Sequence, residues 1–97
     1  MTTHAFHSAA VRELEEAAFF YESRVTGLGR SFLDEVQRTV TLIERYPDAG
    51  ATLGRGLRRV RVDRFPYSIV YQRSVDGLVV VAVAHHRRRP GYWRGRS

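Results

Sequence analysis

The chain has no cysteine and no lysine among its 97 residues. Without thiols there are no disulfides and no cysteine-based metal sites, which fits a reducing compartment such as the cytoplasm. Without lysine, all 16 basic residues are arginine. A GC-rich coding sequence favours that composition, and so does a need for planar, bidentate contacts to phosphate or carboxylate. No apolar stretch approaches the roughly 18 residues that span a membrane. The Met1-Thr2-Thr3-His4 start lacks a basic and then apolar signal segment. The four histidines show no zinc spacing, and Gly54-Arg55-Gly56 lacks the Lys-Ser/Thr ending of a phosphate loop. Neither a metal nor a cofactor is expected.

The charge that is present is unevenly spread. Residues 1–50 carry five arginines against eight acids, a balance of −3. Residues 51–97 carry eleven arginines against two acids, Asp63 and Asp76, a balance of +9. The cationic field therefore belongs to the C-terminal half, where a nucleic acid or an acidic protein is the natural partner.

The length suits one domain, residues 1–97. Ala5 to His7 reads as a short first strand. A helix is expected from Ser8, as N-cap, with Val11, Leu14, Ala18, Tyr21 and Val25 as its apolar stripe. Phe19 and Phe20 widen that face, and Glu13, Glu15 and Glu16 lie near the positive end of the helix dipole. Gly27-Leu28-Gly29 breaks the pattern. A second helix with the stripe Phe32, Leu33, Val36, Val40 and Ile43 runs to about Tyr46, where Pro47 stops it. Asp48 to Gly56 reads as a loop. Val60 and Val62 alternate with Arg59 and Arg61, giving a half-buried strand with an arginine face. Tyr67 to Arg73, rich in aromatic and β-branched residues, reads as a further strand, Val75-Asp76-Gly77 as a hairpin turn, and Leu78 to Ala84 as a central strand apolar on both faces. The expected fold is α+β: a short N-terminal strand, then an antiparallel helical hairpin on a mainly antiparallel sheet of three or four strands, with a basic C-terminal tail.

That tail, His85 to Arg96, holds two imidazoles, five guanidiniums and two aromatic rings. Strand alternation directs His85 and His86 to opposite sides. An imidazole titrates near 6.5 and can move a proton. Arg58, Arg59, Arg61 and Arg64 cluster on and beside one strand; Arg59 and Arg61 share a face and can clamp phosphates or pair with carboxylates. Arg87, Arg88 and Arg89 are dense enough to favour a partner contact. Tyr92 can stack on bases, whereas Trp93 is expected to fold back over an edge of the core.

The segments Glu13-Leu14-Glu15-Glu16-Ala17, Gly27 to Val36, Tyr46-Pro47, Arg58-Arg59-Val60, Phe65 to Tyr71 and Ala82 to Trp93, in this order and spacing, make the chain resemble the RelE/ParE toxin superfamily of type II toxin–antitoxin modules. The resemblance covers nearly the whole chain. It implies a growth-inhibiting toxin neutralised by a cognate acidic antitoxin. Of the two activities it implies, poisoning of DNA gyrase without covalent chemistry is favoured. Arg58, Arg59, Arg61, Arg87, Arg88, Arg89, Tyr92 and Trp93 are then candidates for contacts with target, nucleic acid or antitoxin. The alternative is metal-independent mRNA cleavage on the ribosome. In that case His86, nearest the family's functional histidine, would be the acid or base, with Arg61, Arg64 and Arg88 as transition-state cations. Ribonuclease relatives carry an arginine on the strand equivalent to Tyr67–Tyr71, where this chain has Ser68, and that departure favours the gyrase branch. A third reading is a nontoxic relative that binds antitoxin or nucleic acid.

Overall fold

The computed structural model describes residues 3–96. Its elements are β1 (Thr3–Phe6), α1 (Ser8–Arg24), α2 (Leu28–Arg45), β2 (Ala51–Gly54), β3 (Leu57–Arg61), β4 (Tyr67–Ser74) and β5 (Gly77–His85). The α+β expectation holds, with one strand more than expected. Ala51–Gly54 pairs with β3 as an edge strand inside the segment read as a loop. The five strands lie in the order β1-β5-β4-β3-β2. β1 runs parallel to β5, and the remaining pairs are antiparallel.

α1 is capped by His7, whose Nδ1 accepts the Ala9 N–H at 3.1 Å. Ser8, expected as the cap, is the first helical residue instead. The buried stripe is also shifted. Ala10 and Ala17 are buried, with Leu14, Ala18 and Tyr21 packed beside them. Val11 is exposed, and Val25 is the extended C-cap beyond the last turn. Phe19 and Phe20 do not widen the buried face: they are 77% and 48% exposed.

The break between the helices depends on its glycines. Gly27 has φ +87°, the left-handed region that suits glycine. Gly29 sits where the helices approach each other; a Cβ there would lie 2.6 Å from the Ala18 carbonyl oxygen. The Glu22 carboxylate accepts the N–H groups of Gly27 and Gly29, taking up donors that the start of α2 leaves without helical partners. α2 then buries Phe32, Val36, Val40 and Ile43 on the sheet, whereas Leu33, expected in the same stripe, is exposed.

The sheet is apolar on both faces. Towards the helices it presents Val62, Ile69, Tyr71, Leu78, Val80 and Val83. On the outer face, Leu57, Val70, Val81, Ala82 and Ala84 form a second cluster that Trp93 covers. The continuous apolar run of β5 thus has two layers to fill. Past Pro47, the Tyr71 hydroxyl donates to the Pro47 carbonyl and accepts the Gly50 N–H, tying the end of α2 to β4.

Candidate functional site

On the outer face of the sheet, strand alternation brings Arg59 and Arg61 to the same side. Arg61 lies opposite Ser68, and Ser68 lies opposite Ala84 of β5. Arg59, Arg61, Ser68 and His86, which follows β5, line an open cup. Ser68 Oγ and His86 Nε2 are 3.0 Å apart. Among the described residues no carboxylate forms an ion pair with Arg59 or Arg61, so the cup is rich in unneutralised cations. Arg64, at φ +70°, pairs with Glu35 of α2 at 3.5 Å and flanks a neighbouring groove with Arg61 and His86.

Arg58 points elsewhere. Its guanidinium donates to the carbonyls of Asp48 and Gly50 at 3.1 and 2.8 Å, bracing the turn after α2. It shares β3 with Arg59 and Arg61 but not their face.

His85 and His86 point to opposite sides, as alternation requires. His85 packs edge-on against Tyr67, 4.9 Å between ring centroids, in a groove beside α1. Burial holds its pKa below the ordinary value, and the Arg87 and His86 charges lower it further. Its Nδ1 accepts the Arg87 N–H and so shapes the first turn of the tail.

The tail winds through turns from His86 to Arg96 and closes on the protein at three residues. Trp93 is 7% exposed on the outer cluster, and its Nε1 has no partner among the described residues. The Tyr92 hydroxyl donates to Glu13 at 2.7 Å. Arg96 donates to both oxygens of the same carboxylate at 3.0 Å and to the Val81 carbonyl at 3.0 Å. Burial first, then the bond to Glu13, pushes the Tyr92 pKa well above 10.0, so its hydroxyl stays a donor. The Glu13 contact in turn raises the pKa of Arg96. Arg88 lies over the Tyr92 ring, 3.9 Å from its centroid. Arg87, Arg88, Arg89 and Arg94 are exposed.

Glu13 and Arg96 are the residues sequence reasoning missed. Glu13 read as a dipole charge, yet it lies beyond the first turn of α1 and reaches over the edge of β5. β1 covers β5 only from Gly77 to Val80. Beyond it, the Val83 N–H donates to Glu13 and the Val81 carbonyl accepts from Arg96, so two side chains stand where a strand partner ends. The one hint in the sequence is an acid on α1 three and four residues from the buried Ala10 and Ala17, on the margin of the buried stripe.

The cup and the tail adjoin. Arg59, Ser68, His86, Arg88 and Trp93 border one shared depression, so the basic face is continuous. Among the described residues no group of His, Cys, Asp or Glu is placed to hold a metal ion, and no helix is long and apolar enough to cross a membrane.

A search of curated proteins finds no match to this sequence. A solved structure described as the chromosomal ParDE TA system from P. aeruginosa has a similar fold. Its TM-score is 0.72 at 14% sequence identity, over 88% of this chain and 96% of that one. The family model described as the ParE toxin of type II toxin–antitoxin system, parDE, matches residues 5–90. The chain therefore belongs to the ParE toxin family.

Proposed function

We propose that this type II toxin stops growth by gripping DNA gyrase through its arginine tail, without covalent chemistry on the chain. The observation that carries the reading is the state of the tail. Arg87, Arg88 and Arg89 are exposed, and among the described residues none forms an ion pair with a carboxylate, while Tyr92 and Trp93 beside them are anchored. Charged groups held in a fixed array bind without a large ordering cost. Tyr92 and Trp93 then serve mainly as anchors, and Arg59 and Arg61 extend the cationic face. Ser68, where ribonuclease relatives carry a fixed cation, also favours a non-hydrolytic mode.

A cognate acidic antitoxin is the proposed neutralising partner in the cytoplasm. The +9 half offers it a complementary field, and the exposed Val11, Phe19 and Phe20 offer separate apolar contacts around α1.

One observation favours a second reading. His86 borders grooves that also contain Arg59, Arg61, Arg64 and Arg88, which unites a proton-transfer group with cations. Ribosome-dependent mRNA cleavage would use His86 as acid or base and Arg61, Arg64 and Arg88 to stabilise charge. The Glu35 contact of Arg64 and the Tyr92 contact of Arg88 tie two of those cations to structural partners.

The deciding experiment replaces Arg87, Arg88 and Arg89 together by alanine. Growth arrest and inhibition of gyrase supercoiling are expected to disappear while the far-UV circular dichroism spectrum is retained. Full toxicity in the folded variant contradicts the tail reading. A wild-type chain that leaves growth unchanged when expressed alone points to a nontoxic binding relative.

A further inference from the structure

We infer that Glu13, a helix residue outside the basic face, positions the arginine tail for its target and makes it a pre-ordered knob instead of a flexible arm. The inference rests on the tail reading above. By composition, Arg87 to Arg96 should not hold a fixed shape: it contains two glycines and five like charges and lacks a secondary-structure pattern. Besides the packing of Trp93 and the Arg96 bond to the Val81 carbonyl, two side-chain contacts that order it end on Glu13, 79 and 83 residues away in the chain.

Both carboxylate oxygens are in use. One accepts from Arg96 and the Val83 N–H, the other from Arg96 and the Tyr92 hydroxyl. The side chains of Glu13 and Arg96 are only 13% and 18% exposed, so this pair is largely shielded from water and salt. The Tyr92 ring, fixed through its hydroxyl, has two guanidiniums against it, Arg88 at 3.9 Å and Arg96 at 5.1 Å from its centroid. Glu13 thus sets the place of the Arg88 side chain through one intermediate ring, while the Arg87 N–H bond to His85 Nδ1 shapes the turn that leads into it.

Packing of α1 does not require this carboxylate. Ala10, Leu14, Ala17 and Tyr21 supply the contact with the core. Burying an ion pair in place of an apolar group rarely adds stability by itself. What it does add here is a unique tail geometry, which lowers the ordering cost of binding.

The test compares Glu13→Gln, Arg96→Ala and Arg96→Lys with the unaltered chain and the triple tail variant, all as purified protein. Trp93, the single tryptophan, reports tail position by its emission. Far-UV circular dichroism reports the folded fraction, and gyrase supercoiling reports activity per folded molecule. For Glu13→Gln and Arg96→Ala the expected result is a red-shifted Trp93 emission, a retained circular dichroism spectrum, and a half-inhibiting concentration raised by about tenfold or more. Arg96→Lys keeps the charge but not the two-pronged contact, and it should fall between. A purely structural role would lower the folded fraction without changing inhibition per folded molecule, and that result overturns the inference. If Glu13→Gln does not fold, a protein carrying Tyr92→Phe and Arg96→Ala together, which removes both tail contacts to Glu13 and alters no helix residue, decides the matter. Unchanged emission and inhibition in Glu13→Gln, or in the protein carrying Tyr92→Phe and Arg96→Ala together, with inhibition lost in the triple tail variant, overturn the role of Glu13 and leave the tail reading intact. Inhibition retained in the triple variant overturns both.

Discussion

Ser68 Oγ lies 3.0 Å from His86 Nε2, joining the start of β4 to the residue that follows β5. The imidazole nitrogen that faces the cup is therefore engaged by a protein hydroxyl, at a position where a cleavage site would want a fixed cation. On the gyrase reading this pair shapes the sheet end and performs no proton transfer. His86→Ala is expected to arrest growth as fast as the unaltered chain, followed by colony counts after induction. Loss of arrest in a folded His86→Ala protein, together with loss of mRNA cleavage, would favour the endonuclease reading.

His85 gives the fold a pH dependence whose sign follows from its environment. Burial holds its folded pKa below the ordinary 6.5. The unfolded chain therefore binds this proton more readily, and the stability His85 contributes is present above about 6.5 and lost as pH falls through the lower folded value. Urea unfolding between pH 7 and pH 5 should show declining stability, with a smaller decline in His85→Gln. An identical decline in both would remove His85 as the cause.

Trp93 covers the outer apolar cluster and is 7% exposed. Truncation to alanine uncovers Val70, Val81 and Ala82 and should cost about 3–5 kcal/mol in urea unfolding. Trp93→Phe keeps a ring and removes the unpartnered Nε1 donor, so its cost should stay below about 1.5 kcal/mol. Equal losses in the two variants would contradict this role.

Gly29 lies at the closest approach of the two helices, where an added Cβ would sit 2.6 Å from the Ala18 carbonyl oxygen. Alanine gains about 1 kcal/mol in helix propensity over glycine. Overpacking against a backbone atom costs about 1–3 kcal/mol, so the net change should be destabilising. A Gly29→Ala protein with a raised urea midpoint would contradict the tight crossing.

The two helices and the central strand were legible because their signals are local. The stripe Phe32, Val36, Val40, Ile43 repeats at helical spacing, and Leu78 to Ala84 is an unbroken apolar run. β2 was not legible: Ala51–Gly54 is a short edge strand with a bulged register, exposed except for the half-buried Leu53, so it lacks alternation. The α1 stripe was misplaced because its buried positions are alanines, which carry little hydrophobic contrast, while the larger Val11 and Phe19 face outward. At the site, composition marks the tail as basic but cannot separate its arginines. Arg96 becomes a half-buried clamp only through Glu13, 83 residues away, and that pairing exists only once β1 ends short and leaves the β5 edge open. The inward fold of Trp93, by contrast, follows from its size and apolarity and was expected.

The measurement that bears most directly on the proposed activity is induction of the chain without an antitoxin, following labelled thymidine and labelled methionine incorporation in parallel over the first minutes. A gyrase-directed tail predicts early loss of thymidine incorporation while methionine incorporation continues. Early collapse of methionine incorporation with DNA synthesis intact would contradict it and place the target on the ribosome.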